Sequence, residues 1–190
     1  MTTSNSVFLF LAFFLLGANL SAQEANSTSQ TEEIGLRLTN LQDFGLIYKK
    51  ELESGTFRRL RFAGANVGLT LIQGSGTAVF NAGIFAAIGW EKRIPVADKL
   101  VFHHGWEPGI VLSLIATENF NQLTVSPFVG YVLGFQLAVS ERFLLGLEVI
   151  PSAQLMYTSA NDANVGIFQA NVGFNTGAVG LTGTYRFTRR

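Results

Sequence analysis

The chain has 190 residues, and its 13 Lys and Arg balance 13 Asp and Glu, which gives no support for nucleic acid as a partner. The absence of Cys excludes disulfides, thiolate metal sites, Cys nucleophiles and a lipid-modified bacterial N-terminus. Charged residues form only 14% of the chain, below the roughly 25% typical of soluble domains, which indicates contact with lipid.

An apolar segment near the N-terminus, VFLFLAFFLLGANLSA, is typical of a secretory signal. We expect Sec-type export and cleavage after Ala22, which makes residues 1–22 a signal peptide. The polar residues 23–32 then form a flexible lead-in. The alternative is a retained anchor helix, because the first six residues lack Lys and Arg and Leu20 is bulky for its position.

From residue 33 onward, apolar and polar residues alternate, as expected for strands that present one face to each environment. In TVSPFVGYVLGFQLAV, every second residue from Val125 to Val139 is apolar, and the intervening residues are mostly small or polar. Short polar or Gly-rich turns separate eight such segments. They span residues 33–39, 43–52, 57–72, 80–94, 100–117, 124–139, 143–158 and 165–187.

Three features interrupt this alternation. The apolar parity slips in the third segment, which predicts a bulge near residues 63–65. The eighth segment is too long for one plain strand, so it contains a bulge or an extension, and ten strands remain an alternative to eight. Pro108, Pro127 and Pro151 each remove a ladder donor, and we expect each to lie at a bulge or a strand end.

The pattern predicts an all-β fold, an eight-stranded antiparallel up-and-down transmembrane β-barrel over residues 33–187 with a tail at residues 188–190. After the signal, no apolar run reaches the roughly 18 residues that a spanning helix requires. Eight strands place both chain ends on one side, which is the periplasm in an outer-membrane barrel. We expect the apolar faces to contact lipid and the polar faces to line the lumen.

Aromatic residues on the apolar parity predict two girdles at the membrane interfaces. They are Tyr48, Trp90, Phe102, Trp106, Phe143, Tyr157, Phe168, Tyr185 and Phe187. Lys50 and Lys92 share that parity and should lie near strand ends, because a lipid-facing Lys costs about 2–4 kcal/mol at the midplane and about 0–1 at the interface.

Charged residues on the opposite parity predict a lumen charge network. They are Arg37, Lys49, Glu51, Arg59, Arg61, Glu91, Arg93, Glu107, Glu148 and Arg186. An eight-stranded barrel is just wide enough for side chains to fill, so these charges should be paired, hydrated or both. The network either plugs the lumen or rearranges as the gate of a narrow conduit, and charges near the periplasmic end are alternatively solvated rim residues.

Catalysis has little support in the chain. His103 and His104 are the only histidines, and adjacent strand positions point to opposite faces, so the two do not easily share one site. We expect His104 at the interface and His103 at the rim or in the lumen. No phosphate-binding loop or zinc spacing is present, and neither enzyme activity, a metal nor a cofactor is expected.

Five segments carry a family likeness: EIGLRLTNLQDFGLIYKKEL, IGWEKRIPVADKL, WEPGI, SPFVGYVLGFQLAVSERF and NVGFNTGAVGLTGTYRF. In these segments the chain resembles the small, porin-like outer-membrane β-barrel proteins of Bacteroidetes-type bacteria. The resemblance implies an eight-stranded membrane barrel in a Gram-negative outer membrane, without assigned catalytic residues. The bilayer and the barrel assembly machinery are then the expected partners.

The expected function is structural: anchoring, envelope integrity or contact through the outer loops, with a lumen filled by side chains. One alternative is slow passage of small solutes through a narrow conduit. A second is a soluble periplasmic barrel that binds an apolar ligand inside, which requires the apolar parity to face inward. The residues name no ligand and no soluble partner.

Overall fold

The computed structural model describes residues 30–39, 44–71, 78–118, 120–160, 166–174 and 177–189. The expected signal peptide, residues 1–22, and most of the expected lead-in lie outside the described residues. Within the described ranges, no helix is long and apolar enough to cross a membrane.

Ten antiparallel strands make up the described chain. In chain order they are β1 (Gln30–Leu38), β2 (Phe44–Glu53), β3 (Thr56–Leu71), β4 (Ala78–Ala97), β5 (Leu100–Ala116), β6 (Asn121–Ala138), β7 (Phe143–Val149), β8 (Ser152–Ala160), β9 (Gly166–Gly173) and β10 (Val179–Arg189). The end that carries the turns β2–β3, β4–β5 and β6–β7 is called the turn end below, and the opposite end is called the far end.

The sheet closes on itself. From β5 the ladders run through β4, β3, β2, β1, β10 and β7 to β6, and β6 pairs again with β5. The first and last strands complete the circuit, because Gln30 pairs with Arg189 and Leu38 with Leu181. Thr188 and Arg189 were expected in the tail and Gln30 in the lead-in, but these residues belong to this ladder.

The count of ten differs from the expected eight because the last two expected strands are each divided. The segment predicted over residues 143–158 forms β7 and β8, which separate at Ile150 and Pro151. The segment predicted over residues 165–187 forms β9 and β10. In both cases the pairing partner changes. β6 pairs with β7 at the turn end and with β8 at the far end, and β9 pairs with β8 whereas β10 pairs with β7.

This division gives the barrel two unlike halves. In the closed half, at the turn end, β1, β2, β7 and β10 complete the circuit. The open half, at the far end, lies beyond Leu38, where β1 ends, and Phe44, where β2 begins. There, among the described residues, β3 beyond Ala63 pairs only with β4. Within the same described part, β9 pairs only with β8, so one edge of β3 and one edge of β9 are unpaired there.

The predicted bulge in β3 is confirmed. The β3–β4 register shifts between Ala63 and Asn66, and Gly64 has a φ of 29°, at the edge of the left-handed region that favours Gly. The extra residue restores the apolar parity beyond the slip, so Leu69 lies opposite Phe80 on the outward face.

The expectation for the prolines holds only for Pro151, which lies between β7 and β8. Pro108 and Pro127 lie within strands whose ladders show no register shift at these two positions, so the expected bulge or strand end is wrong at both. Instead, the β4–β5 ladder skips the pairs at Pro108 and its neighbour, and the β6–β8 ladder skips those at Pro127. Because proline has no backbone N–H, the ladder on one side of its strand is interrupted, while the continuous β5–β6 ladder on the other side keeps the strands in register.

Burial in this barrel is the reverse of that in a water-soluble protein. Arg59, Glu107 and Glu148 have no exposed surface, whereas Phe168 is 80% and Val172 is 86% exposed. In the closed half, the alternation along the strands places the charged parity in the enclosed space and the apolar parity on the outer surface. β9, in the open half, is exposed along nearly its whole length. The alternative of an apolar-lined soluble barrel is therefore wrong.

Candidate functional site

Strand register brings the charged side chains of the closed half into one enclosed space. Glu33 of β1 lies opposite Lys49 of β2, and Lys49 lies opposite Arg59 of β3. Arg93 of β4 lies opposite His103 of β5. Because directly opposite residues on adjacent strands project from the same face, these side chains all point inward.

Arg59 occupies the centre of this cluster. Its Nη1 lies 3.1 Å from Oε2 of Glu91, its Nε lies 2.8 Å from Oε2 of Glu107, and its Nη2 lies 2.9 Å from Oε2 of Glu148. Three strands thus supply carboxylates to one guanidinium. Charge-assisted contacts of this kind are among the stronger polar interactions in proteins, and here they tie β3 to β4, β5 and β7.

Lys49 and His103 complete the centre. Nζ of Lys49 lies 3.1 Å from Oε2 of Glu91 and 3.4 Å from Oε1 of Glu148. Nε2 of His103 lies 3.3 Å from the same Oε1 of Glu148. Glu148 therefore serves several donors from different strands, which makes it the most shared carboxylate of the cluster.

Glu33 organises the turn end of the cluster. Arg93 donates to both of its carboxylate oxygens at 2.7 and 2.8 Å, and Arg186 donates to Oε1 at 3.0 Å. Nε2 of Gln136 lies 3.4 Å from Oε2 of Glu33 and donates to the hydroxyl of Thr184 at 3.1 Å. Polar side chains from β1, β4, β6 and β10 therefore fill the enclosed space near the turn end.

Arg37 and Arg61 form the far boundary of the cluster. Nη2 of Arg37 donates to the backbone oxygens of Gly177 and Ala178 at 3.1 and 3.2 Å, and its Nε lies 3.4 Å from Glu148. Arg61 donates to Glu107, and its guanidinium carbon lies 4.4 Å from the ring centroid of Phe85. Phe85 stacks on Phe128 at 5.3 Å, so aromatic rings contact the far side of the charges.

The structure places the ten residues of the predicted lumen network as follows. Nine of them form ion pairs: Arg37, Lys49, Arg59, Arg61, Glu91, Arg93, Glu107, Glu148 and Arg186. The tenth, Glu51, lies at the turn end, in a recess of about 370 Å³ shared with Phe57 and Arg93. Sequence reasoning missed Glu33, although it has the same parity as Arg37, because it was placed at the very start of its strand.

The nine expected interface aromatics lie on the outward parity, and several contact one another. Trp90 lies opposite Trp106, whose ring packs edge-on against Tyr131 at 4.8 Å. At the far end, Tyr157 contacts Phe168 at 4.7 Å. Tyr48, Phe102, Phe143, Tyr185 and Phe187 belong to the turn-end group.

Two positions beside these aromatics were also assigned from the sequence. His104, expected at the interface, has Nδ1 2.9 Å from the hydroxyl of Tyr131. Lys50 and Lys92 pair with Arg58 and Thr56 beside the β2–β3 turn, which confirms their expected position near a strand end.

The cluster offers one geometry that a metal could use. Ligand atoms of Glu91, His103 and Glu148 lie within 4.8 Å of one another. Lys49 and Arg59 already neutralise both carboxylates, so cationic side chains occupy the space beside these oxygens. The arrangement is suited to filling and cross-linking the barrel.

No protein-family model matches the chain, and no curated protein matches it. Among solved structures, it is similar to a major outer membrane protein from Thermus thermophilus, with 10% identity over 84% of this chain and 100% of that chain and a TM-score of 0.48. It is also similar to Ail, the attachment invasion locus protein of Yersinia pestis, with 12% identity over 84% of this chain and 98% of that one and a TM-score of 0.45.

A third similar structure is the N-terminal β-barrel domain of Pseudomonas aeruginosa OprF, with 12% identity over 84% of this chain and 97% of that domain and a TM-score of 0.40. These neighbours are small outer-membrane β-barrel proteins. With identities and TM-scores this low, none of their roles extends to this chain, and the function proposed below depends on its own geometry.

Proposed function

We propose that this chain is an integral outer-membrane β-barrel whose eight-strand circuit spans the bilayer, with a closed lumen and an anchoring or surface-contact role. The observation that supports this most is the reversal of burial, with charges enclosed and large apolar side chains exposed around the ring. Soluble monomers rarely expose contiguous apolar patches larger than a few hundred Å². Hydrocarbon is the environment in which such a surface is stable.

Backbone pairing supports the same proposal. A chain within the bilayer must satisfy its own N–H and C=O groups, which a closed sheet achieves and an open one does not. A spanning strand needs about 9–11 residues, and β1, β2 and β10 have 9, 10 and 11. The closed half therefore has the pairing that a bilayer requires, and three of its completing strands have the required length, whereas β7 has 7 residues.

The closed lumen follows from the size of the ring and its contents. A barrel of eight strands has room for little more than side chains. Arg59, Glu91, Glu107 and Glu148 meet across that space at hydrogen-bonding distances and have almost no exposed surface. We therefore favour the closed barrel over the narrow conduit, which would require these contacts to separate.

Two measurements test the proposal. The protein recovered from outer-membrane fractions should migrate faster on gels before boiling than after it, as folded membrane barrels do. In planar bilayers the folded protein should show no steady single-channel conductance. Recovery as a detergent-free soluble monomer would refute the membrane assignment, and steady conductance would refute the closed lumen alone.

The bilayer contact and the orientation that places the turn end in the periplasm are part of the same proposal. So are export through the Sec pathway, insertion by the barrel assembly machinery and membership of the Bacteroidetes-type family. A pulse-labelling experiment in cells depleted of the assembly machinery tests the insertion step. The heat-modifiable form should fail to accumulate while the exported chain persists in the periplasm.

A further inference from the structure

The inward charges of the closed half do not balance. Among the described residues, five buried inward cations, Arg37, Lys49, Arg59, Arg61 and Arg93, face four buried inward carboxylates, Glu33, Glu91, Glu107 and Glu148, which leaves an excess of one positive charge. Arg186, which pairs with Glu33, and Glu51 both line the recess at the turn end, and together they add no net charge. An uncompensated buried charge costs several kcal/mol, so this excess requires an anion or water.

The excess is concentrated at the far boundary of the cluster. Arg37 shares its nearest carboxylate, Glu148, with Lys49 and Arg59, and its two hydrogen bonds go to neutral backbone oxygens. Arg61 in turn pairs with Glu107, a carboxylate that Arg59 also contacts. The pair Arg37 and Arg61 is therefore the part of the cluster with the least compensating charge.

The Arg61 guanidinium has a buried donor without an acceptor. Its Nε makes no hydrogen bond, whereas Nε of Arg37 lies 3.4 Å from Glu148, beyond good hydrogen-bonding geometry. Phe85 covers one face of the Arg61 guanidinium, which leaves the N–H groups in its plane for an acceptor. A buried donor without an acceptor is costly, and the planar guanidinium matches the oxygen pair of a carboxylate or phosphate.

The opening in the barrel wall gives a ligand access to this pair. Arg37 is the penultimate residue of β1, and Arg61 lies two residues before Ala63, where the β2–β3 ladder ends. Directly beyond them lie the edges of β3 and β9 that have no partner strand in the described part of the chain. Because unpaired backbone groups are not stable in hydrocarbon, water or polar groups must occupy this opening.

We infer that Arg37 and Arg61 bind the oxyanion of a carboxylate or phosphate ligand at the far boundary of the closed half, reached through the open half. The inference rests on the proposed membrane barrel. Beyond the pair, the described interior is uncharged: Phe85 stacks on Phe128, Thr124 and Thr158 contact each other at 3.1 Å, and Ser126 is buried on β6. No carboxylate on that side competes with an incoming anion among the residues that the structure describes.

The experiment measures thermal unfolding of the folded protein in phosphatidylcholine vesicles, titrated with sodium acetate, sodium dodecanoate or dodecyl maltoside at constant ionic strength. A ligand that binds only the folded state raises the midpoint with concentration. An equal rise with acetate and dodecanoate identifies a free small anion. A rise at much lower concentration with dodecanoate identifies an anionic amphiphile that enters from the bilayer.

Variants locate the site. Arg37→Gln and Arg61→Gln should each weaken the apparent affinity about tenfold or more, because each removes a charge-assisted contact. Arg142→Gln, which removes an exposed cation at the β6–β7 turn outside the cluster, should leave the titration unchanged. If a variant does not fold, hydrogen exchange of the wild-type Arg37 and Arg61 side chains with and without dodecanoate gives the same test.

Absence of any anion-dependent shift in the wild type would overturn the inference, as would an equal response to neutral dodecyl maltoside. Unchanged binding in both Arg variants would overturn it as well. The titrations use only protein that is heat-modifiable and therefore folded in the vesicles. A negative result would then refute the anion site without refuting the proposed membrane barrel.

Discussion

Arg59 and Glu148 form a two-point contact inside the barrel, with Nη1 and Nη2 of the guanidinium 3.2 and 2.9 Å from the two carboxylate oxygens. Neither side chain has any exposed surface. The contact links β3 to β7, which do not pair with each other in the sheet. Buried pairs of this kind add modest net stability but make the loss of one partner expensive, because the other charge remains buried.

Glu148→Gln should destabilise the folded barrel by about 3–5 kcal/mol, because Lys49, Arg59 and Arg37 then lose a shared carboxylate. Urea unfolding in lipid vesicles measures the difference. The matched control is Glu51→Gln, an inward carboxylate at the turn end outside the ion pairs, which should change stability by less than about 0.5 kcal/mol. Equal losses in both variants would show that the network has no special role.

Arg59→Ala should open a leak through the lumen. The change removes the side chain that contacts Glu91, Glu107 and Glu148, and leaves three carboxylates around an empty space. Planar bilayer recordings should show cation-selective conductance that the wild type lacks, because a ring of carboxylates favours cations.

Arg58→Ala is the control for that recording, since Arg58 is the adjacent residue on the outward parity of β3. It should remain silent. Heat-modifiable mobility of both variants before recording establishes that they are folded. A folded Arg59→Ala variant without conductance would show that the lumen is sealed by other groups.

Leu147→Arg should destabilise the barrel by about 2–4 kcal/mol, because Leu147 is an exposed outward residue near the expected bilayer midplane. It lies five residues beyond the β6–β7 turn, a rise of about 12 Å on a strand tilted by roughly 45°. Val139→Arg, at that turn, should cost only about 0–1 kcal/mol. Urea unfolding in vesicles compares the two, and equal costs would contradict the proposed membrane position.

Gly105→Ala should destabilise the barrel by about 1–3 kcal/mol, because a Cβ there would overlap the backbone oxygen of Trp90 on the neighbouring strand. Gly83→Ala is the control: its nearest neighbour, the backbone oxygen of Leu112, lies at an ordinary contact distance of 3.7 Å. The comparison isolates close strand packing from the general effect of replacing Gly, and uses the same unfolding measurement.

The strands and their faces could be predicted because a period of two is a local property. Glu91 and Arg93, for example, share one face because a single outward residue, Lys92, separates them, and the parity slip revealed the bulge before Asn66. Residues that belong to the predicted lumen network could therefore be named from parity alone, without their partners.

The division of the last two strands could not be predicted, because it depends on which strands they meet. β6 exchanges β7 for β8 near Pro151, and that exchange reflects contacts between residues far apart in the chain. The same limit explains Glu33. Its parity was visible, but its importance comes from Arg93 and Arg186, which lie 60 and 153 residues away.

The ladder between β1 and β10 also bears on how the molecule acquires its shape. Its partners are separated by nearly the whole chain, from Gln30 to Arg189. Contacts this distant form slowly, since the cost of closing the intervening loop must be met before the contact stabilises anything. The ring can close only after β10 has been synthesised. A chain truncated before Val179 would lack the strand that joins β1 to β7.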